Sequence, residues 1–246
     1  MKKKYLFILA ATALIIVFCL FVFYYFLPKP ALSSSALVKG TASRAEKAWV
    51  SGKQLDFRKL QSLNSDVSAW LYIPGTEINA PILQSTDQDD YFYLTHSLDR
   101  TEGGSTCLIT QASCNATDFS DPVTVIYGGR ANSAFSSLER LYTQQGSLSD
   151  YSEIAIFTPG QLLVYHVFGY SAYSRNHILS SYGSFSDRSR ILDFIGSVQT
   201  YRSLLQDFDS SITVSEDDRL LVLSTALGQD QEQRFIVLAK LVDSAN

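Results

Sequence analysis

From about residue 66 onward the chain is cut into short runs rich in Val, Ile, Leu, Tyr and Phe. WLYI (70–73), PILQ (81–84), CLIT (107–110), VTVIYG (123–128), EIAIFT (153–158), QLLVYHVFGY (161–170), RLLVLST (219–225) and RFIVLAKLV (234–242) follow one another. Gly, Asp, Asn and Ser separate them, which is the pattern of an all-β barrel or sandwich. Several runs are apolar on both faces, so they are core strands with something packed outside them. The expected fold is mostly β, a closed barrel of about eight strands.

Two stretches depart from that pattern. SDRSRILDFIGSVQTYRSLLQDFD (186–209) sets Ile191, Phe194, Ile195, Val198, Tyr201, Leu205 and Phe208 at three- and four-residue steps. That spacing predicts one long amphipathic helix before the last strand pair, with Ser186 or Asp187 as N-cap. A shorter helix is expected over Ser133–Tyr142, and one or two more over Ala45–Leu63.

The N-terminal end is of another kind. Tyr5–Leu27 contains no charged residue and is long enough to cross the roughly 30 Å hydrocarbon core as a helix. Lys2, Lys3 and Lys4 precede it and favour a cytoplasmic N-terminus. The expected organisation is a cytoplasmic tail and membrane anchor over 1–27, a small, polar, proline-punctuated linker over 28–44 and a folded domain over 45–246. This predicts a single-pass protein of the cell membrane with its C-terminal domain outside. The formal net charge of −4 gives no reason to expect nucleic acid as a partner.

The chain has three cysteines, Cys19, Cys107 and Cys114. Cys107 and Cys114 could pair in an oxidising exterior, but spacing alone does not bring their Cα atoms within about 7 Å. No spacing resembles a zinc site, and His96, His166 and His177 do not cluster with cysteines, so neither metal nor cofactor is expected.

The order of the pieces from about Asn64 to Val242 resembles the class B sortases, membrane-anchored cysteine transpeptidases of the Gram-positive cell surface. NSDVSAWLYIPGTEINAPILQ looks like the family's opening, and DDYFYLTHSLDR like its next landmark. VIYGGRANSAFSSLERLY is similar to its Tyr-Gly-His loop and following Phe-x-x-Leu helix. LLVLSTALGQDQEQRFIVLAKLV resembles its closing strands, normally Leu-Ser-Thr-Cys, a loop and Arg-Phe. The long helix also falls where class B members carry one.

In that family a Cys attacks a backbone carbonyl of a sorting-signal peptide, a His serves as acid and base, and an Arg steadies the oxyanion or substrate. Carried over by position, the Cys becomes Ala226 and the His becomes Gly129, while the Arg is retained as Arg234. A methyl group has no lone pair and glycine has no side chain to titrate, so the nucleophile and base are missing. Asp90, Leu94, Ser224 and Thr225 match groove positions of the family and are expected to bind substrate. The Asp that many relatives carry on the CLIT strand is absent, with Ile109 or Thr110 in its place.

The resemblance therefore implies a catalytically silent sortase-like protein. Its groove would bind sorting-signal peptides of surface or pilus proteins, or an active sortase, with Arg234 pairing to a carbonyl or carboxylate. Two alternatives remain. One is an active sortase that anchors surface proteins through a relocated thiol, Cys107 or Cys114. The other is a scaffold using the outer face around Phe194 and Tyr201. His96 and His166 are expected to be hydrogen-bonded structural residues, and His177 to be solvated.

Overall fold

The computed structural model describes residues 55–103, 106–129, 133–227 and 232–245. Nine strands form one sheet: β1 (Val67–Tyr72), β2 (Asn79–Leu83), β3 (Leu108–Ile109), β4 (Val123–Gly128), β5 (Glu153–Phe157), β6 (Leu162–Ser174), β7 (Gln206–Phe208), β8 (Leu220–Ala226) and β9 (Gln233–Ala245). Their order is β5-β1-β2-β3-β4-β8-β9-β6-β7, and β5 also pairs with β6. That last pairing closes eight strands into a barrel and leaves β7 as a short addition beside β6. Closure removes the sheet edges that would otherwise invite pairing with other chains. Two pairings are parallel, β2 with β3 and β4 with β8.

Most of the barrel strands are apolar on both faces because each face meets a different core. One set contains Leu71, Ile82, Ile126, Ile156, Tyr165, Leu223 and Val237, and fills the barrel. The other contains Trp70, Leu83, Val125, Phe157, Val222 and Leu238, and is covered from outside by helical residues. The α-helices described are α1 (Phe57–Leu63), α2 (Phe92–Thr95), α3 (Ser133–Ser136), α4 (Leu138–Arg140), α5 (Ile178–Ser181) and α6 (Arg190–Gln199). Phe57 and Leu60 of α1 and Ile191, Phe194, Ile195 and Val198 of α6 lie in the outer set. Phe135 and Leu138 instead join the inner one, so the segment after β4 must reach it through an end of the closed barrel.

The long helix expected over 186–209 is corrected to Arg190–Gln199. Asp187 does not cap it; its Oδ1 accepts from the Ser189 N–H at 3.1 Å and the Ser189 hydroxyl at 2.8 Å, shaping the turn before it. Beyond Gln199, residues Gln206–Phe208 pair with Ser171, Tyr170 and Gly169 as β7. The helix expected over Ser133–Tyr142 is broken into α3, α4 and a π-helical turn at Leu141–Gln145. Of the N-terminal helices, α1 is seen and the rest of that expectation lies outside the described residues.

The single-pass anchor and the membrane location drawn from it are also corrected. Among the described residues no helix is long and apolar enough to cross a membrane. The segment Tyr5–Leu27 lies outside the described residues.

Buried tyrosines make this fold sensitive to alkali. Tyr93 is 1% exposed, and burial pushes its hydroxyl from the ordinary value near 10 up to about 12. Burial raises Tyr142 and Tyr165 as well. Above pH ~10 the unfolded chain loses these protons and the folded chain keeps them, so stability falls as pH climbs from about 10 through 12. The urea midpoint is therefore expected to drop between pH 9 and pH 11. An unchanged midpoint would mean that these hydroxyls ionise within the fold.

Candidate functional site

Strands β4, β8 and β9 are neighbours, and their ends bring three separated positions to one end of the barrel. In the β8–β9 ladder Ala226 stands directly opposite Arg234, and Ser224 opposite Ile236. In the parallel β4–β8 ladder Tyr127 stands opposite Ser224, with Gly129 just past the strand end. Strand alternation puts Tyr127, Ser224, Ala226 and Arg234 on the outer face of the barrel. Tyr127 and Ile236 belong to the outer core set, which fixes that face.

Arg234 is half-buried, with its guanidinium carbon 5.6 Å from the Tyr127 ring centre. This is a cation–π contact, which holds the guanidinium near the ring. Among the described residues Arg234 makes no ion pair. Tyr127 is 5% exposed, and burial pushes its hydroxyl well above the usual tyrosine range. Nearby Tyr91 adds to that rise and Arg234 opposes it. Tyr127 therefore stays a neutral hydroxyl.

The two adjoining glycines are each in close contact. A Cβ on Gly128 would lie 2.1 Å from Cδ1 of Phe135, so the ring that closes the inner core needs glycine there. A Cβ on Gly129 would lie 3.0 Å from the Leu94 carbonyl oxygen. The turn around α2 thus leans against position 129, and any side chain there must displace backbone.

The other groove positions fall on different sides. Leu94 lies within α2 and Asp90 just before it. The Asp90 carboxylate accepts from the Ser113 hydroxyl and, at 3.4 Å, from its N–H. Ser224 lies on the outer face but is fully buried. Thr225 pairs with Phe235, a residue of the inner set, so its side chain faces the barrel interior. Neither hydroxyl has a hydrogen-bond partner among the described residues.

The cysteines and histidines sort themselves by contact. Cys107 is fully buried, and Cys114 is a free thiol with its Sγ 3.3 Å from the Ser113 hydroxyl. His96 is held as a structural residue, with Nδ1 2.9 Å from the Phe92 carbonyl and its ring stacked on Phe92. His166 is a half-buried mid-strand residue of β6. His177 differs from the expectation of a solvated side chain. It caps α5, with Nδ1 accepting from the Ser180 N–H at 3.1 Å, and its ring centre lies 6.4 Å from that of Tyr127. Sequence reasoning missed this residue because nothing local links 177 to 127. Among the described residues no three His, Cys, Asp or Glu side chains gather where they could hold a metal ion.

No family model matches the chain. Its sequence is 30% identical over 199 residues to sortase B of Listeria monocytogenes, covering 76% of this chain and 74% of that protein. The chain belongs to the class B sortase family. A crystal structure of Staphylococcus aureus sortase B superposes with a TM-score of 0.67 at 18% identity, covering 86% of this chain and 99% of that one. A Staphylococcus aureus sortase B–substrate complex matches with a TM-score of 0.66 at 19% identity over 85% of this chain and 94% of that one. These likenesses establish the sortase fold.

Proposed function

We propose that this class B sortase is a silent member that binds peptides at the ends of β4, β8 and β9 without cutting them. The observation that carries the reading is the Ala226–Arg234 pair: the cation stands directly opposite a methyl group, with glycine at the end of the adjacent strand. An attacking group and a proton acceptor are both lacking there, while the part that steadies a peptide oxygen is kept. The substrate complex of the Staphylococcus aureus relative supports peptide binding in general. The ligands that fit are sorting-signal segments of surface or pilus proteins, or a segment of an active sortase. Arg234, Asp90 and Leu94 border the groove, and Ser224 lies beneath it. Thr225 acts through the strand end, since it faces inward.

A relocated thiol is the weaker reading. Cys107 is fully buried, and Cys114 neighbours Ser113, whose hydroxyl is bound to the Asp90 carboxylate. A scaffold surface around Phe194 is also weakened, because Phe194 is fully buried.

Titration calorimetry with surface-protein peptides tests the proposal. Binding is expected for the native chain, and Arg234→Ala is expected to weaken it by about 1.5–3 kcal/mol, the range for a hydrogen bond to a charged group. No binding by any peptide, together with an inert Arg234→Ala, would remove the groove reading.

A further inference from the structure

Building on that peptide-groove reading, we infer that the groove floor takes the free C-terminal carboxylate of a peptide, held by Arg234 beside Tyr127 and His177. The hydrogen-bonding side chains that border this floor are donors. The Tyr127 hydroxyl makes no hydrogen bond among the described residues and, being neutral, has a proton to give. The His177 Nδ1 accepts from the Ser180 N–H at 3.1 Å, so a neutral ring carries its proton on Nε2. Acidic groups around the floor are engaged elsewhere: Asp90 holds Ser113, and Glu232 pairs with Arg175 at 3.1 Å.

The geometry of the cation separates a carboxylate from a mid-chain carbonyl. The contact with Tyr127 holds the Arg234 guanidinium at this floor, and its N–H groups make no ion pair among the described residues. A carboxylate presents two oxygens that match the N–H fork, whereas a peptide carbonyl presents one. Position 226 points the same way. Nothing there can bond a carbonyl carbon, since a methyl group stands opposite Arg234. A chain end is thus a better occupant than an uncut segment.

The test uses an N-acetylated pentapeptide library made twice, once with free carboxylates and once as C-terminal amides. Each form is equilibrated with the full chain, retained peptides are quantified by mass spectrometry, and the best sequence is resynthesised in both forms for calorimetry. The carboxylate form is expected to bind about tenfold more tightly, and the advantage to shrink with added salt. Arg234→Gln is expected to abolish the preference. Arg234→Lys, which keeps charge but loses the fork, is expected to retain only part of it. Equal binding of the two forms overturns the carboxylate inference and leaves the peptide groove standing. Retention of neither form overturns both. A preference that persists in Arg234→Gln overturns the assignment to Arg234.

Discussion

Replacing Ala226 with Cys is expected to give a thiol that alkylating reagents label but that transfers no peptide at a measurable rate. In a serine protease, loss of the nucleophile–base unit costs about 10⁶ in rate, or roughly 8 kcal/mol of barrier. Restoring the sulfur leaves position 129 without a base. Adding Gly129→His in the same chain is expected to give only partial recovery, because the new Cβ would meet the Leu94 carbonyl oxygen at 3.0 Å. Leu94 does not move freely: its N–H is bonded to the Tyr91 carbonyl at 2.9 Å, and Asp90 next to that turn is tied to Ser113. The imidazole would therefore sit displaced, and a misplacement of about 1 Å can cost about 10² in rate. Peptide transfer followed by mass spectrometry should order the proteins as native chain and Ala226→Cys at background, the double variant above them, and an intact sortase higher by about 10² again. A covalent peptide adduct on the native chain would overturn the silent reading, and full activity in the double variant would show that Leu94 yields easily.

The barrel was legible because its strands carry β-branched and aromatic residues on both faces, and only a closed sheet with outside cover buries both. The landmark residues of the family's opening turn out to be structural. Asn64 Nδ2 donates to the Tyr93 hydroxyl and the Leu98 carbonyl, each at 2.8 Å, and Gln84 Nε2 donates to the Asn115 carbonyl at 2.8 Å. The length of the helix after residue 186 was not legible. Its apolar spacing continues through Leu205 and Phe208, but those positions serve another element, and Leu204 at 102% relative exposure is left in solvent. Helical period marks a face; it does not say where pairing with β6 takes over from i→i+4 bonds. At the site, position matching placed Gly129, Ala226 and Arg234 at one end of three adjacent strands. The contact between Leu94 and Gly129, the inward side of Thr225 and the approach of His177 to Tyr127 all depend on distant segments meeting, which periodicity does not encode.

Phe194→Ala is expected to lower stability by about 3–5 kcal/mol, the range for truncating a buried Phe. Phe194 is fully buried and is the meeting point of α6 with the barrel and with the segment carrying α5. Its ring lies edge-on to Tyr173, Tyr182 and Phe185, at centroid distances of 6.0, 5.4 and 5.7 Å. One turn on, Ser197 Oγ lies 2.8 Å from the Tyr173 hydroxyl and 2.7 Å from that of Tyr182. Removing the ring opens a cavity between three aromatic side chains that cannot all close on it. Those packed rings resist collapse, so the cost belongs toward the upper end of the range. Because Tyr182 directly follows α5, the same loss loosens the support of His177 and should weaken carboxylate binding in the protein that remains folded. Leu192→Ala, on the solvent side of the same helix at 43% exposure, is the comparison and is expected to change stability by less than about 1 kcal/mol. Urea unfolding of the two variants measures both effects. Equal losses in both would show that α6 contributes through its helix propensity and not through the ring it places against the barrel.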